Sequence, residues 1–418
     1  MRTQRTPSAS QADRRARGAV AALFFTNGAL LANILPRYPE IKTDLGLGNT
    51  VYGLAVAAFP IGAIVAGLAA AMLIRRFGSA KVAVAGTVLT SLGVLAAGLA
   101  PTVLFFALGL FIGGAMDAIT DVAQNAHALR VQRRYGRSIL NSFHAVWSIG
   151  AVFGGVMAAA AIALALPLGA HLMISAVVFS VVSLTALRFC LPGRDDEADE
   201  EAIADTHEMG TTLRAAISPR TVFVLVALVM IAMTGTIVED AGNSWATLYL
   251  TSLDAPAAIA ALGFISLVGA QFVGRLAGDG LVDRFGQRAV AGAGGLIAAA
   301  GKGIALAFPT VPGSILGFAA AGLGVATLVP AAMHEADELP GLRHGTGLTV
   351  VSWLMRLGFL LSPPVVGMIA DTASLRAGLL IVPAAGIAVV LLAGVLQGRR
   401  KGTERQAVLA GSTGSGAA

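Results

Sequence analysis

Apolar residues along this chain gather into runs of about 20 instead of alternating with polar ones, and short polar stretches separate the runs. Twelve runs can be marked: Gly18 to Leu35, Tyr52 to Ile74, Val82 to Ala100, Val103 to Ala128, Ile139 to Leu166, Gly169 to Cys190, Val222 to Leu250, Pro256 to Val282, Ala289 to Phe308, Ser314 to His334, Thr346 to Ile369 and Ala377 to Leu396. As helices, runs of this length cover a hydrocarbon core roughly 30 Å thick while pairing every backbone group internally. The pattern predicts an all-α membrane protein with twelve transmembrane helices. An even count leaves both chain ends on one side.

Composition agrees: of 418 residues, 56% are hydrophobic and 12% charged, more apolar than a soluble domain of this size. The charges then orient the spans. Only Arg37, Lys42 and Arg376 lie in loops of one face, Arg275, Lys302 and Arg356 lie well inside spans, and the other 23 of the 29 basic residues fall in the tails, loops and loop flanks of the other face. Basic loops stay in the cytosol, so both termini are expected there. The net charge of +6 is spread over many short loops, unlike a nucleic-acid surface, and no nucleic-acid partner is expected. Cys190 is the only cysteine, which excludes an intramolecular disulfide. The first run follows a basic tail as a signal peptide would, but eleven spans follow it, and it reads as an uncleaved helix.

Between the sixth and seventh runs, Leu191 to Arg220 holds eight of the 23 acids and reads as a solvated linker. The chain thus divides into a tail (1–17), a six-helix half (18–190), the acidic linker (191–220), a second six-helix half (221–397) and a C-terminal tail (398–418). Laid over each other with an offset of 208, the halves place Arg76, Phe77, Gly78 and Gly86 on Arg284, Phe285, Gly286 and Gly294. Two six-helix repeats are the basis of alternating access, in which the halves rock about a site near the midplane.

Twelve spans, an acidic central loop and a 2/3-loop signature of the form G-x-x-x-D-R-x-G-R-R/K resemble the major facilitator superfamily. The second copy keeps Asp283, Arg284, Gly286 and Arg288, whereas the first has Ala71 at the glycine and Arg75 at the aspartate. In that family the aspartate caps a neighbouring helix at the cytosolic gate, so the departure argues against symmetric gating. Four stretches, Asp121 to Gly150, Glu239 to Leu250, Gly274 to Gly286 and Gly358 to Gly367, are similar to a bacterial inner-membrane branch related to the fucose and other sugar:proton symporters. The resemblance implies a monomeric transporter of small molecules in the inner membrane.

Charged groups at the bilayer centre are costly, so those inside the spans are candidates for function. In the fourth span Asp117, Asp121 and Asn125 are spaced by four and form one slanting stripe, with Gly113 and Gly114 one turn earlier to admit a close neighbour. Two carboxylates one turn apart suit a group that binds and releases a proton. Asp121 is the first choice as proton carrier, with Asp117 its neighbour, and the related symporters use a carboxylate on this span. On the first span, where they use another, this sequence offers Asn27 and Asn33. A structural ion pair is the other reading of Asp121. His127, off the stripe, reads as an interfacial histidine.

The fifth span brings Asn141, His144, Trp147 and Ser148 to one face, an arrangement able to bind a polyol or to bond across helices. Gly150, Gly154 and Gly155 partly resemble an antiporter motif, with Ala151 in place of its proline and Val146 in place of its glycine. In the seventh span Glu239, a second proton or substrate residue, and Asn243 share a face; Gly235 is a candidate for local unwinding, and Trp245 reads as an interfacial aromatic. Arg356, in the eleventh span, needs an anion: Asp121, Glu239 or cargo. Arg275 and Asp279 of the eighth span, with Asp283, Arg284, Gly286, Arg288, Arg76 and Gly78, read as gate residues. His334, Glu335 and Asp337 read as an exposed polar terminus, with Gly322 and Gly324 as hinge points above them.

No Walker-type loop, metal-ligand spacing or G-x-S-x-G elbow occurs, so ATP drive, a metal, a cofactor and hydrolase chemistry are not expected. The sequence favours a non-enzymatic secondary transporter for a small polar, carbohydrate-like solute, coupled to protons by symport. Proton-antiport export of a drug or secondary metabolite is the alternative, and a transport-dead scaffold a third, disfavoured by the buried charges.

Overall fold

The computed structural model describes residues 10–135, 139–193, 218–342 and 345–397, the Asn141 side chain excepted. Among them, twelve helices are long and apolar enough to cross a membrane, and no strand occurs. Breaks included, they are α1 (Gln11–Asp44), α2 (Asn49–Gly67), α3 (Ser79–Gly98), α4 (Val103–Tyr135), α5 (Ser142–Ala163), α6 (Leu168–Leu187), α7 (Pro219–Thr251), α8 (Ala257–Phe285), α9 (Gln287–Ala307), α10 (Val311–Asp337), α11 (Thr346–Thr372) and α12 (Leu375–Val395). Nearly all of the acidic linker and the C-terminal tail lie outside the described residues.

Helix ends depart from the apolar runs where local chemistry outweighs hydropathy. α1 begins at Gln11 because Ser10 and Asp13 form a capping box: the Asp13 N–H donates to Ser10 Oγ, and the Ser10 N–H to Asp13 Oδ2, each at 3.1 Å. Residues 11–17, expected as tail, are therefore helical. At its other end α1 tightens into a 3-10 turn at Leu35–Arg37 and then continues. Arg37, expected in a loop, is buried, with Nη1 2.7 Å from Glu40 Oε2 and Nη2 2.8 Å from the Leu166 carbonyl.

The sequence repeat is also a repeat of geometry. Gly78 and Gly286 end the helices before α3 and α9 with φ of 88° and 84°, a backbone that a side chain would strain. Arg76 lies over the Phe77 ring at 5.3 Å and Arg284 over the Phe285 ring at 5.2 Å. Packing follows the same offset: α3 on α4, α2 on α4, α3 on α6 and α1 on α5 match α9 on α10, α8 on α10, α9 on α12 and α7 on α11. Exposed large apolar side chains, such as Leu104, Phe105 and Leu108 of α4 or Val177, Val181 and Leu184 of α6, coat the outside as a bilayer requires.

The halves meet through α2 against α11 and α5 against α8. These contacts cluster at the far face, away from the chain ends. There Asp371 of α11 accepts from Asn49 N–H at 3.0 Å, Asn49 Nδ2 at 2.9 Å and Thr50 N–H at 2.7 Å of α2. Below it, Tyr52 donates to the Ser244 carbonyl at 2.7 Å, and Gly53 leaves the room that the Pro363 backbone occupies. On the basic face, Ala70–Phe77, Leu328–Asp337 and Thr346–Leu354 pack chiefly within their own halves. The molecule is closed at the far face and open toward the basic one.

Candidate substrate and proton site

α4 presents the acid stripe to α1. Gly114 makes this possible: a Cβ there would strike the backbone of Phe59, so only glycine lets α2 and α4 approach this closely. Asn27 of α1 is the hub. Its Nδ2 donates to Asp117 Oδ1 at 2.7 Å, and its Oδ1 accepts from Trp147 Nε1 at 2.8 Å and from Gln124 Nε2 at 3.4 Å. Gln124 also donates to Asp121 Oδ1 at 3.4 Å, and Asn125 Nδ2 donates to the same oxygen at 3.1 Å and to the Asp121 carbonyl at 2.8 Å. Asp117, Asp121, Asn27, Gln124 and Trp147 thus form one network over three spans.

Asp121 is exposed, although it lies far from either end of α4, and the charges of His144 and Arg356 act on it. It therefore faces the space between the halves and not lipid. No ion pair within 4.0 Å joins it to Arg356 among the described residues. His144 is exposed to the same space, its ring edge-on to Phe24 at 5.2 Å, with Arg275 of the other half acting on it electrostatically. Trp147 is turned into the network by its bond to Asn27, while Ser148 is buried and bonds the His144 carbonyl. The Asn141 side chain lies outside the described residues.

From the second half, Gln271 Nε2 donates to Glu239 Oε2 at 2.7 Å, and Arg275 Nη2 lies 3.7 Å from the same oxygen. Arg275, expected at the gate with Asp279, is thus paired with Glu239. Arg356 is exposed and starts the second segment of α11, whose helix breaks at Met355. The Met355 carbonyl accepts from the Gly358 N–H at 2.9 Å and from Thr236 Oγ1 of α7 at 2.9 Å. Discontinuous helices line the sites of many transporters because freed backbone ends can face cargo.

Several expectations are corrected. α7 is one continuous helix, so Gly235 unwinds nothing: it packs against Leu328 and Val329 of α10, and the break sits in α11. In α10 the helix breaks after Val325, just beyond Gly322 and Gly324. His127 is fully buried within the protein at the basic end of the spans, bonded to Ser79 Oγ at 3.0 Å and accepting from the Leu191 N–H at 3.2 Å. Trp245 is fully buried, edge-on to Tyr52 at 4.9 Å. Asn33 bonds His171 at 2.9 Å and lies apart from the site. Glu335 is buried and accepts from the Gln397 N–H at 3.0 Å. Asp279 and Asp283 are exposed, and Arg288 donates its N–H to the Gln397 carbonyl at 3.1 Å. Asn243 stands one turn beyond Glu239, its Oδ1 buried without a partner.

Gln124, Gln271 and Asp240 were not singled out by sequence. The two glutamines sit at helical spacing from acids already marked or on the facing span, and amides carry no charge to betray them. Asp240 was hidden by its neighbour Glu239, whose face points the other way.

The family model described as Major Facilitator Superfamily matches residues 20–280 and again 270–413. An uncharacterized transporter of Sinorhizobium fredii, y4wD, is 29% identical over 379 residues, covering 90% of this chain and 97% of its own. Membrane protein MosC of Rhizobium meliloti is 27% identical over 374 residues, 89% of this chain and 88% of that one. Among solved structures, a D-xylose-proton symporter overlays with a TM-score of 0.65 at 18% identity, covering 91% of this chain and 96% of its own. A bacterial homologue of the human lysosomal transporter Spinster, inward-facing and occupied, gives 0.72 at 15% identity, covering 93% and 97%. FucP in the outward conformation gives 0.54 at 19% identity, covering 90% and 97%.

Proposed function

Because this chain belongs to the Major Facilitator Superfamily, we propose that it carries a small polar, carbohydrate-like solute across the inner membrane by proton-coupled symport, as a monomer with both termini in the cytosol. The observation that carries this reading is the Asn27, Asp117 and Asp121 network of one half, facing Arg356 across the space between the halves. The likeness in fold to a D-xylose-proton symporter supports the same class. So does the better overlay with an inward-facing structure than with the outward-facing FucP, given a basic face that is cytosolic.

In this reading His144, Trp147, Asn125 and Asn27 bond and stack on hydroxyl-bearing cargo, and Glu239, Gln271, Arg275, Asn243 and Arg356 close on it from the other half. Asp121 takes up the coupling proton. Neutral, it no longer attracts Arg356, and the balance between the two open states shifts with it. Gating rests on Gly78 and Gly286, which hold the 2/3-loop signatures and their arginines at the basic face.

Purified protein in liposomes tests the reading. Accumulation of the solute should follow an imposed proton gradient, and Asp121→Asn should abolish accumulation while leaving exchange of solute down its own gradient. Gradient-driven accumulation that survives Asp121→Asn unchanged would sink the proton-carrier role. A second reading, antiport export, is favoured by Gly150 and Gly154 of α5, which let the α1 backbone at Phe25 and Ala29 pack closely as an antiporter motif does. It requires that gene deletion raise sensitivity to a toxic compound.

A further inference from the structure

Asp240 lies on the other face of α7 from Glu239, under the seal of the far face. It is 9% exposed, its Oδ1 lies 3.5 Å from Ser244 Oγ, and its Oδ2 is buried without any hydrogen-bond partner. Elements of both halves surround it. Tyr38 of α1 and Tyr52 of α2 are fully buried and within electrostatic reach, and Ser362 of α11 is within bonding reach. Among the described residues Glu239 is the one charged group acting on it, and it is of the same sign. No arginine, lysine or histidine pairs with Asp240 among the described residues. Immediately beyond it, Asn243 Oδ1, Trp245 Nε1 and Thr247 Oγ1 are also buried and unpartnered.

Two buried unpartnered groups in one turn are uncommon, and four within Asp240 to Thr247 point to a surface that is wet in another state of the molecule. An ionised carboxylate in this enclosure would have neither water nor a cation, which is strongly unfavourable. We propose that Asp240 is a proton-binding latch of the far-face gate: the halves close around its protonated carboxyl, and opening the gate wets the carboxyl and lets it release that proton to water on that side. The idea extends the proton-coupled reading but rests on the seal and not on Asp121, so the two can fail separately.

The test is the width of the far-face opening. Spin labels on Thr43→Cys and Thr251→Cys, both exposed on opposite halves, report it by double electron–electron resonance in full-length protein. A Cys190→Ser background removes the native thiol, the only cysteine of the chain. Raising the pH from about 5.5 to about 8.5 should increase the long-distance population several-fold in the parent, because the closed state binds one proton more. Asp240→Asn and Asp240→Ala should stay at the short distance at both values, while Asp121→Asn, though its starting balance differs from the parent's, should still gain long-distance population as the pH rises. A parent that does not respond, or neutral Asp240 variants that respond as the parent does, overturn the latch. Asp121→Asn that loses coupling to transport yet keeps this response leaves the latch standing.

Discussion

Asn27 shows how one uncharged side chain can organise two acids. It offers an acceptor to Trp147 and Gln124 and a donor to Asp117, so it holds the carboxylate in place without neutralising it. Removing it should strand the acid: Asn27→Ala leaves a buried acceptor unsatisfied, worth about 1–3 kcal/mol, and is expected to lower both Tm and uptake, whereas Asn27→Gln should recover part of each. Lys302 of α9 is the opposite case. It is fully buried, its Nζ makes no hydrogen bond, and it sits 3.1 Å over the Phe318 ring and 4.9 Å from that of Tyr249. A buried amino group that meets aromatic faces and no hydrogen-bond partner among the described residues is replaceable, since hydrophobic substitution of buried polar or ionic groups is often neutral or stabilising by about 1–4 kcal/mol. Lys302→Met should therefore match or exceed the parent in a thermal unfolding assay and retain uptake.

At the scale of helices, the join between α7 and α11 decides where the site can bend. At the break the Met355 carbonyl accepts from the Gly358 N–H at 2.9 Å, and Thr236 Oγ1 stands 2.9 Å from it and 2.9 Å from the Met233 carbonyl of its own helix, tying α7 to α11. Thr236→Val keeps the shape but removes the donor, so it should cost about 1 kcal/mol and slow uptake, and Thr236→Ser should restore both. Hydropathy could mark twelve spans and the glycine pattern could mark the 208-residue repeat, because both depend on residue type at fixed spacing. The break could not be read that way: Gly235 looked the weaker point, but α7 is braced on both sides by Leu328, Val329 and α11 and stays helical. The acid stripe on α4 was legible because charge in an apolar run stands out. The buried places of His127 and Trp245 were not, since their partners Ser79, Leu191 and Tyr52 come from elsewhere in the sequence.

If the halves of the whole molecule alternate as proposed, the far-face lip bears on the balance directly. Asp371 grips the start of α2 through the Asn49 and Thr50 amides and the Asn49 side chain, an acid at a helix N-terminus in the orientation its dipole favours. Those bonds exist only while the far face is closed, so they favour the present state and must break for the opposite one. Asp371→Asn removes the charge and turns one acceptor into a donor facing a donor. It should lengthen the distance between labels at Thr43 and Thr251 at every pH, in contrast to the Asp240 variants, which should shorten it and remove its pH response. Because the lip is far from Asp121 and Asn27 in the fold, Asp371→Asn should alter the rate of transport while leaving the affinity of the site between the halves close to the parent's. Equal distances in parent and variant across pH would show that the lip follows gate closure and does not bias it.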